Sequence, residues 1–368
     1  MRNESYRFLF YQQLKKKWLT DFFCTEILLL QGFSMKISAS IYSNKTDLLE
    51  NTIKNLHQNG VDLFHVDCND DLGVFDDFKT IRAHSNKPID LHIITPTPEK
   101  YFSYIEKEKP DYVTFQFEEI SGKLQLPDTL AKYGLAITSN TPIDVFDEYA
   151  ECFSFILIMA TTPGKSGGQF NKENFEKIRA FKRRYPEKAV HVDGGVNAEV
   201  SFILRNMGVD VAVSGSYLFN ETHVGTALLN LKANETHSTY CVKDFMHNKN
   251  EIPLLVNENC QLKDVLNSIE TGKMGFTILA DKTGKLEGLI SNADVRKGLL
   301  KHIEDLNKVT INDVTNRTPV TINENTTVKE MLEFIRNKKF PISYMPVLDN
   351  NEKVSGALTF FNLIKGEL

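Results

Sequence analysis

Histidine and aspartate side chains stand near the ends of three β-branched and apolar runs of this sequence. His65 and Asp67 are two residues apart, so in a strand both side chains point to the same face. Asp90 and His92 repeat that spacing in the next run, and Asp193 follows a later one. If the ends of these runs meet, the two imidazoles gather at one mouth with two of the three carboxylates. Such nitrogen and oxygen donors suit one divalent metal ion, with Zn, Fe, Mn and Co as candidates.

Glycine-rich segments follow later runs of the same kind. One extends from Pro163 to Gln169, and Gly194-Gly195 and Gly215-Ser216 follow the next two runs. Glycine lets backbone N–H groups approach a phosphate closely. These segments predict a small phosphorylated ligand beside the metal candidates.

Eight strand-like runs must position these residues. They are Lys36–Tyr42, Val61–Val66, Ile89–Ile94, Tyr112–Phe115, Gly134–Thr138, Phe155–Met159, Ala189–Val192 and Val211–Ser214. Faces with helical spacing lie between some of them, formed by Leu48, Ile53 and Leu56 and by Phe175, Ile178 and Phe181. Strands that alternate with helices pair in parallel, because parallel neighbours need a crossover. The pattern favours an α/β fold of the (β/α)8 TIM barrel type over an open doubly wound sheet.

The pattern changes after a polar segment at residues 232–240, which we interpret as a linker. Residues 241–368 contain an internal repeat, in which Gly288–Val295 resembles Gly356–Leu363. Two units of roughly 65 residues are each too small to bury a good core alone. We therefore expect a smaller α+β module in which the two units pack as a pair.

Two interpretations stay open for residues 1–34. Lys15-Lys16-Lys17 before the apolar stretch Trp18–Phe33 resembles a signal peptide, which would mean export or anchoring. However, Asp21 and Glu26 interrupt the stretch, and no small-residue cleavage site follows it. We therefore expect an extension that is disordered or results from a misassigned start.

The composition of the 368-residue chain excludes several classes of protein. It is 41% hydrophobic and 25% charged, as in ordinary globular proteins. A net charge of -5 gives no electrostatic footprint for duplex nucleic acid, and no apolar stretch reaches the roughly 18 residues of a membrane span. The five cysteines are scattered without a C-x-x-C motif, which predicts a reducing cytoplasm.

Residues 35–231 resemble the ribulose-phosphate 3-epimerase family. The motifs that carry the resemblance are Ser40-Ile41-Tyr42-Ser43, His65-Val66-Asp67-Cys68-Asn69-Asp70, Asp90-Leu91-His92, Glu118, Thr141-Pro142, Met159, Gly167-Gly168-Gln169, Asp193-Gly194-Gly195 and Gly215-Ser216. The resemblance implies that the metal ligands are His65, Asp67, His92 and Asp193. It implies that Asp67 and Asp193 are also the catalytic acid and base and that Ser40 contacts substrate. The implied phosphate-binding residues are Gly167, Gly168, Gly194, Gly195, Gly215 and Ser216.

The implied reaction is inversion at C3 of a ketose phosphate, by default ribulose 5-phosphate to xylulose 5-phosphate. A base removes the proton beside the ketone on one face, and an acid returns a proton on the other face. The enediolate between these steps carries negative charge, which a metal ion stabilises as a Lewis acid. Two alternatives stay open: the same fold acting as another sugar-phosphate epimerase or a decarboxylase, and a catalytically inactive nucleotide-sensing protein.

A few positions depart from the family's pattern. Asn69 and Ile94 stand where methionines usually line the pocket, and Gln116 stands where a histidine is usual. Lys165-Ser166 makes the glycine-rich loop one residue longer, and Lys165 either contacts the phosphate or is solvated. The residues that would carry out the chemistry are kept, whereas residues that would line the pocket change. We therefore expect epimerase chemistry, and an altered sugar phosphate as substrate stays open.

Residues 241–368 resemble a tandem CBS domain pair. In that family a Gly-x-x-Ser/Thr-x-x-Asp segment contacts the ribose of adenine nucleotides, and Ser291 with Asp294 matches it. Thr359 with Asn362 matches it less well. The resemblance implies a nucleotide site at Ser291 and Asp294 that could regulate the barrel, and a dimerisation module without ligand is the alternative. We expect a homo-oligomer.

The same region resembles the CBS pair of arabinose-5-phosphate isomerases and related surface-polysaccharide enzymes. Val242-Lys243-Asp244-Phe245-Met246 and the stretch Gly288–Gly298 carry this second resemblance. It suggests that the chain supplies a sugar phosphate for capsule or lipopolysaccharide.

Overall fold

A computed structural model describes residues 35–122, 124–164, 167–233, 240–256, 260–336, 338 and 342–359. The expectations for residues 1–34, for Lys165 and Ser166, for most of the linker and for Asn362 lie outside the described residues. Among the helices in these ranges, none combines the length and the apolar composition that a membrane crossing requires.

The amino-terminal region is a closed barrel of parallel strands, which confirms the predicted fold class. The strands are β1 (Lys36–Ser40), β2 (Leu63–Cys68), β3 (Ile89–Ile93), β4 (Tyr112–Gln116), β5 (Lys132–Thr138), β6 (Phe155–Met159), β7 (Ala189–Asp193) and β8 (Val211–Ser214). Pairing of β1 with β8 closes the barrel. All of β6 is buried, because its inner face fills the barrel while its outer face meets helices. β2 begins and ends later than predicted, so His65 and Asp67 both lie within it.

α-Helices cover the outside of the barrel. They are α1 (Leu49–Gln58), α2 (Val74–His84), α3 (Phe102–Glu108), α4 (Glu173–Arg184), α5 (Ala198–Asn206), α6 (Ser216–Asn220) and α7 (Val224–Lys232). In the described part of the chain, 3-10 segments take the place of α-helices after β4 and β5, at Phe117–Glu119 and Ile143–Tyr149. Ile53 and Leu56 are buried on α1 as predicted. The prediction for Leu48 is wrong: it precedes α1 in an extended conformation and is 76% exposed.

The carboxyl-terminal region contains two small sheets with helices. Its elements are α8 (Val242–Phe245), β9 (His247–Asn248), β10 (Leu254–Val256), α9 (Leu262–Gly272), β11 (Phe276–Ala280), β12 (Leu286–Ser291), α10 (Asn292–Lys301), α11 (Ile311–Val314), β13 (Ile322–Asn323), α12 (Val328–Arg336), β14 (Tyr344–Leu348) and β15 (Val354–Thr359).

The two sheets repeat one arrangement, as the internal sequence repeat predicts. β10 and β13 each pair in parallel with the following strand, and β12 and β15 each pair antiparallel with the strand before them. A register shift falls between Leu279 and Ala280 in one unit and between Val347 and Leu348 in the other. The units pack against each other, since residues of both share one apolar cluster. The carboxyl-terminal region is therefore a tandem pair.

Candidate active site

His65, Asp67, His92 and Asp193 come together at the carboxyl ends of β2, β3 and β7. One donor atom from each lies within 4.8 Å of the others. Asp67 Oδ1 is 3.3 Å from His65 Nε2 and 3.3 Å from His92 Nδ1, and Asp193 Oδ2 is 3.8 Å from His65 Nε2. We refer to these four residues as the His/Asp cluster.

The donor atoms of the His/Asp cluster fit a metal ion. His65 Nε2, Asp67 Oδ1 and His92 Nδ1 are buried, and none has a hydrogen-bond partner. A buried polar atom without a partner costs about 1–3 kcal/mol. Three such atoms facing one another are accounted for if a cation binds between them, because nitrogen and carboxylate oxygen are its natural ligands.

Asp90 sets the orientation of His65. Its Oδ2 lies 2.8 Å from His65 Nδ1, and Ser38 Oγ donates to the same oxygen at 3.3 Å. Burial alone would raise the pKa of Asp90, but the charge and hydrogen bond of His65, together with smaller contributions from His191 and His92, outweigh it and keep that pKa below its usual value. An ionised Asp90 only accepts hydrogen bonds, so Nδ1 carries the proton. The other nitrogen, Nε2, is thereby directed at the cluster.

Gln116 sets the orientation of His92 in the same way. The Gln116 amide nitrogen donates to Glu118, whose carboxylate only accepts, so the amide oxygen must face His92. That oxygen lies 2.9 Å from His92 Nε2, which therefore carries the proton and leaves Nδ1 directed at the cluster. Glu118 is held in turn by the Thr138 N–H at 2.9 Å and by the hydroxyls of Thr138 and Thr141.

Sequence reasoning missed the orienting roles of Asp90 and Gln116. Asp90 had a usable signal, because it is two residues from His92 and its neighbour across the strand pair is His65. Gln116 stood out only as a departure from the resembled family. Its role depends on the rotamer that Glu118 imposes, which no spacing rule reveals.

The surroundings of the cluster shift the pKa values of its two carboxyl groups in opposite directions. Burial raises the pKa of Asp193 above its usual value despite the opposing charge of His65. Burial is the largest single influence on Asp67 as well, but its interactions with His65 and His92 together outweigh burial and hold the pKa of Asp67 far below its usual value. Burial likewise opposes the charged form of His65, yet Asp90 and Asp67 raise its pKa. Paired carboxyl groups that titrate apart are typical of acid–base sites.

The glycine segment after β7 has a backbone that other residues adopt only with strain. Gly194 and Gly195 have φ values of +108° and +66°. A Cβ at Gly194 would lie 2.7 Å from the Thr161 nitrogen, and one at Gly195 would lie 2.3 Å from the Phe170 nitrogen. Glycine therefore lets this segment pack closely against the loop that follows β6.

A cavity of about 160 Å³ opens beside the cluster. The predicted site residues that line it are Ser40, Asp67, Gly167, Asp193, Gly194, Gly195, Gly215 and Ser216. Gly168 does not line it and instead lies against Thr161. Tyr42, Lys45 and Thr161 line the cavity and were not predicted, although the first two closely follow Ser40 in the sequence. Met159 is buried in the barrel interior rather than at the cavity wall.

Ser291 and Asp294 contact each other at the start of α10. The Ser291 N–H and hydroxyl donate to Asp294 Oδ2 at 3.0 and 2.6 Å, and the Asp294 N–H donates to Ser291 Oγ at 3.3 Å. This is a capping box, which satisfies N–H groups at a helix start. Thr359 ends β15, at the position in its sheet that Ser291 has in the first sheet.

Comparison with known proteins identifies relatives of both regions. The model of the ribulose-phosphate 3 epimerase family matches residues 36–219, and the CBS domain model matches residues 311–367. A ribulose-phosphate 3-epimerase of Methanocaldococcus jannaschii is 29% identical over 215 residues, covering 54% of this chain and 90% of the relative. The enzyme of the same name from Bacillus subtilis is 26% identical over 218 residues, covering 55% of this chain and all of the relative. A CBS-pair protein of Arabidopsis thaliana aligns at 21% identity and a TM-score of 0.29, covering 35% of this chain and 94% of that chain.

Proposed function

Since the chain belongs to the ribulose-phosphate 3-epimerase family of carbohydrate isomerases, we propose that it inverts C3 of a ketose phosphate. Ribulose 5-phosphate and xylulose 5-phosphate are the default pair. The observation that carries the proposal is that Asp67 and Asp193 line the same cavity as Gly194, Gly195 and Gly215. A sugar whose phosphate lies against these glycines has its carbon chain beside both carboxylates.

Asp67 and Asp193 would exchange protons with C3. They approach the cavity from different strands, because β1 and β8 separate β2 from β7 around the barrel. One carboxylate takes the proton from C3, and the other, in its acid form, returns a proton to the opposite face. In the reverse reaction the two residues exchange roles.

His65, Asp67, His92 and Asp193 would hold one divalent ion, with Zn, Fe, Mn and Co as candidates. When bound, such an ion stabilises the negative charge that develops on the substrate oxygens. Asp90 and Gln116 would keep the two imidazoles oriented before anything binds. Groups fixed in advance need little reorganisation during the reaction, which is a large part of electrostatic catalysis.

The substrate phosphate would contact backbone N–H groups of the glycine segments together with Ser216, and Ser40 would contact the sugar. Gly168 would act differently from the other predicted residues. Its φ of +128° lets the loop after β6 turn beside Thr161, so we assign it a conformational rather than a contact role.

Asp67→Asn and Asp193→Asn test the acid–base assignment. Each should lower epimerisation of ribulose 5-phosphate by roughly 10²- to 10⁴-fold, since one proton transfer is lost. Circular dichroism should show an unchanged fold. Full activity in either variant would reject the assignment.

A panel of pentulose and hexulose phosphates distinguishes the default substrate from another sugar phosphate or a decarboxylation. Wild-type protein that has neither bound metal nor turnover would favour the nucleotide-sensing alternative.

At the CBS pair, we propose that an adenine nucleotide contacts Ser291 and Asp294 through its ribose and regulates the barrel. The support is the match to the family segment and the partly exposed side chain of Asp294. Regulation requires that the nucleotide bind two states of the chain differently. Calorimetry with AMP and ATP should show binding to wild type and weaker binding to Asp294→Asn. The matched control is Asp264→Asn, because Asp264 caps α9 as Asp294 caps α10. Unchanged turnover in AMP, ATP and CMP-linked sugars would remove the regulatory part.

We place the domain boundaries at 35–231 for the barrel and 241–368 for the CBS pair, with a linker at 232–240. The described cysteines are free, which supports the proposal of a reducing cytoplasm.

We also propose that the chain forms a homo-oligomer, which size-exclusion chromatography with light scattering tests. A preference for a sugar phosphate of capsule or lipopolysaccharide synthesis in the substrate panel would support the surface-polysaccharide role.

A further inference from the structure

Lys177 on α4 fixes the loop that follows β5. Its Nζ donates to the carbonyl oxygens of Thr138, Ser139 and Thr141 at 2.8, 2.7 and 2.5 Å. The ammonium has three N–H donors, so these carbonyls use all of them. Among the described residues, the connection between β5 and β6 contains a 3-10 segment and no α-helix, and this lysine of the next α-helix, α4, holds the start of that connection in position.

The residues that Lys177 fixes are those that hold Glu118. Thr138 and Thr141 both donate to Glu118 Oε1, and Glu118 in turn accepts the hydrogen bond from Gln116 that fixes its amide. The Gln116 oxygen then faces His92 Nε2. A continuous series of hydrogen bonds therefore leads from α4 to one nitrogen of the His/Asp cluster.

The same helix is held by the CBS pair. Arg179 Nε lies 3.0 Å from Glu251 Oε2, and Arg183 contributes a second contact to Glu251 at 3.2 Å. The side chains of Arg179 and Glu251 are only 7% and 8% exposed. Arg179 also donates to the Phe245 carbonyl at 3.4 Å. Removing one partner of a buried ion pair leaves an uncompensated charge, so this contact constrains where α4 can lie.

We propose that α4 connects the CBS pair to the His/Asp cluster, with Lys177 as a positioning residue that holds His92 through Glu118 and Gln116. The His92 tautomer that leaves Nδ1 free depends on the Gln116 amide facing one way. The amide faces that way because Glu118 is fixed, and the loop fixed by Lys177 supplies the donors to Glu118. The proposal rests on the proposed function only where it treats the cluster as a metal site, since the tautomer belongs to the metal-free chain.

Lys177→Met tests the positioning role, and Lys182→Met is its matched control. Lys182 lies on the same helix and also donates to a backbone carbonyl, that of Gly208, but it does not contact the loop after β5. In metal-free protein under alkaline conditions, ¹⁵N spectra of the imidazoles should show His92 protonated at Nε2 in wild type and Lys182→Met. Lys177→Met should show a mixture of tautomers. A single unchanged tautomer in Lys177→Met would overturn the proposal.

Metal affinity gives a second measurement with the full chain. Mn²⁺ titrated by calorimetry should bind Lys177→Met roughly 10-fold more weakly than wild type, the lower end of the range for residues that support ligands. Lys182→Met should stay within about 2-fold. If Lys177→Met does not fold, Glu118→Gln replaces it, because it removes the charge that fixes Gln116 while keeping the side-chain shape. Equal affinities in wild type and the substituted chain would overturn the positioning role.

Glu251→Gln tests the connection to the CBS pair. Glu352→Gln is its control, because Glu352 is exposed and forms an ion pair with Lys285 rather than with a residue of α4. Coupling of this kind is worth about 2- to 30-fold in affinity. We expect Mn²⁺ binding to weaken by that factor in Glu251→Gln and not in Glu352→Gln. No difference would overturn the connection. Wild-type protein that shows the expected His92 tautomer without binding any of the four candidate ions would reject the proposed function while supporting the positioning role.

Discussion

The sequence singled out the His/Asp cluster by its spacing and the Ser291–Asp294 pair by its match to a family segment, yet their hydrogen bonding differs. In the cluster, buried nitrogen and oxygen atoms face one another without partners. In the pair, Ser291 and Asp294 satisfy each other and the start of α10. An arrangement that is incomplete by itself calls for a bound ion, whereas a self-satisfied one is stable without a ligand. The difference teaches that a sequence motif alone does not reveal whether its polar groups need a ligand to be satisfied.

Removal of the metal ion should reduce activity more than any other change, because the ion is proposed to bind in the barrel at the His/Asp cluster. Dialysis against a chelator is expected to abolish epimerisation, and one of the four candidate ions should restore it. The melting temperature should fall as well, because an ion that binds only the folded state stabilises it. Activity assays and calorimetric scans measure both. Full activity in protein that elemental analysis finds free of metal would show that the His/Asp cluster needs no ion, and the contrast with the Ser291–Asp294 pair would fail.

Asp90→Asn should weaken metal binding by about 10- to 100-fold, because the amide no longer fixes the proton on His65 Nδ1. Asp264→Asn is the control from the CBS pair, where the carboxylate serves a helix start. Titration with Mn²⁺ measures both variants. Equal affinity in the two would mean that orientation of His65 contributes nothing to the cluster.

His247 should make the protein less stable as the pH falls. A histidine held between carboxylates would have the opposite effect and make the protein less stable as the pH rises. Burial lowers the pKa of His247 to about 4, and the charge of Arg179 acts in the same sense, against Glu251. The unfolded chain, with its ordinary value of 6.5, then binds more protons than the folded chain. Stability is therefore intact above pH 6.5 and declines as the pH falls toward 4, by roughly 3 kcal/mol at most for this group. Urea denaturation across this range should show a smaller decline in His247→Gln; an equal decline would assign the effect to other groups.

Ser291→Ala should have the smallest effect. It tests whether the Ser291–Asp294 pair contributes to stability only, as a helix cap would without a ligand. Loss of a capping hydroxyl costs about 1 kcal/mol of stability. Metal affinity and basal turnover should stay at wild-type values, because Ser291 does not line the barrel cavity. Denaturation and Mn²⁺ titration check the two statements. A change in Mn²⁺ affinity would show that this cap also influences the cluster.

Much of the barrel could be predicted because its signals are local. β6 and β8 have the predicted bounds, since short apolar runs between polar turns have few other solutions. The error at Leu48 came from extending helical spacing one residue past the start of α1. His65 and His92 were found because their residue type is uncommon and their spacing regular.

Apart from Asp90, the orienting residues could not be predicted from the sequence, for a physical reason. Gln116 orients His92 only because its amide is fixed by a hydrogen bond to Glu118. Lys177 binds backbone carbonyl oxygens, which every residue type has, so the sequence does not mark its partners. Arg179 pairs with Glu251, which is 72 residues away in the chain. Contacts of this kind depend on the finished fold, so a pattern read along one segment contains no trace of them.

The buried contact between Arg179 and Glu251 has a practical consequence for anyone who shortens this protein. A chain cut after residue 231 would carry a guanidinium that water must newly solvate, together with an apolar helix face stripped of its cover. Poor yield or weak turnover of such a fragment would then reflect a damaged outer wall, and would be mistaken for lost regulation. Point substitutions in the intact chain avoid this confusion.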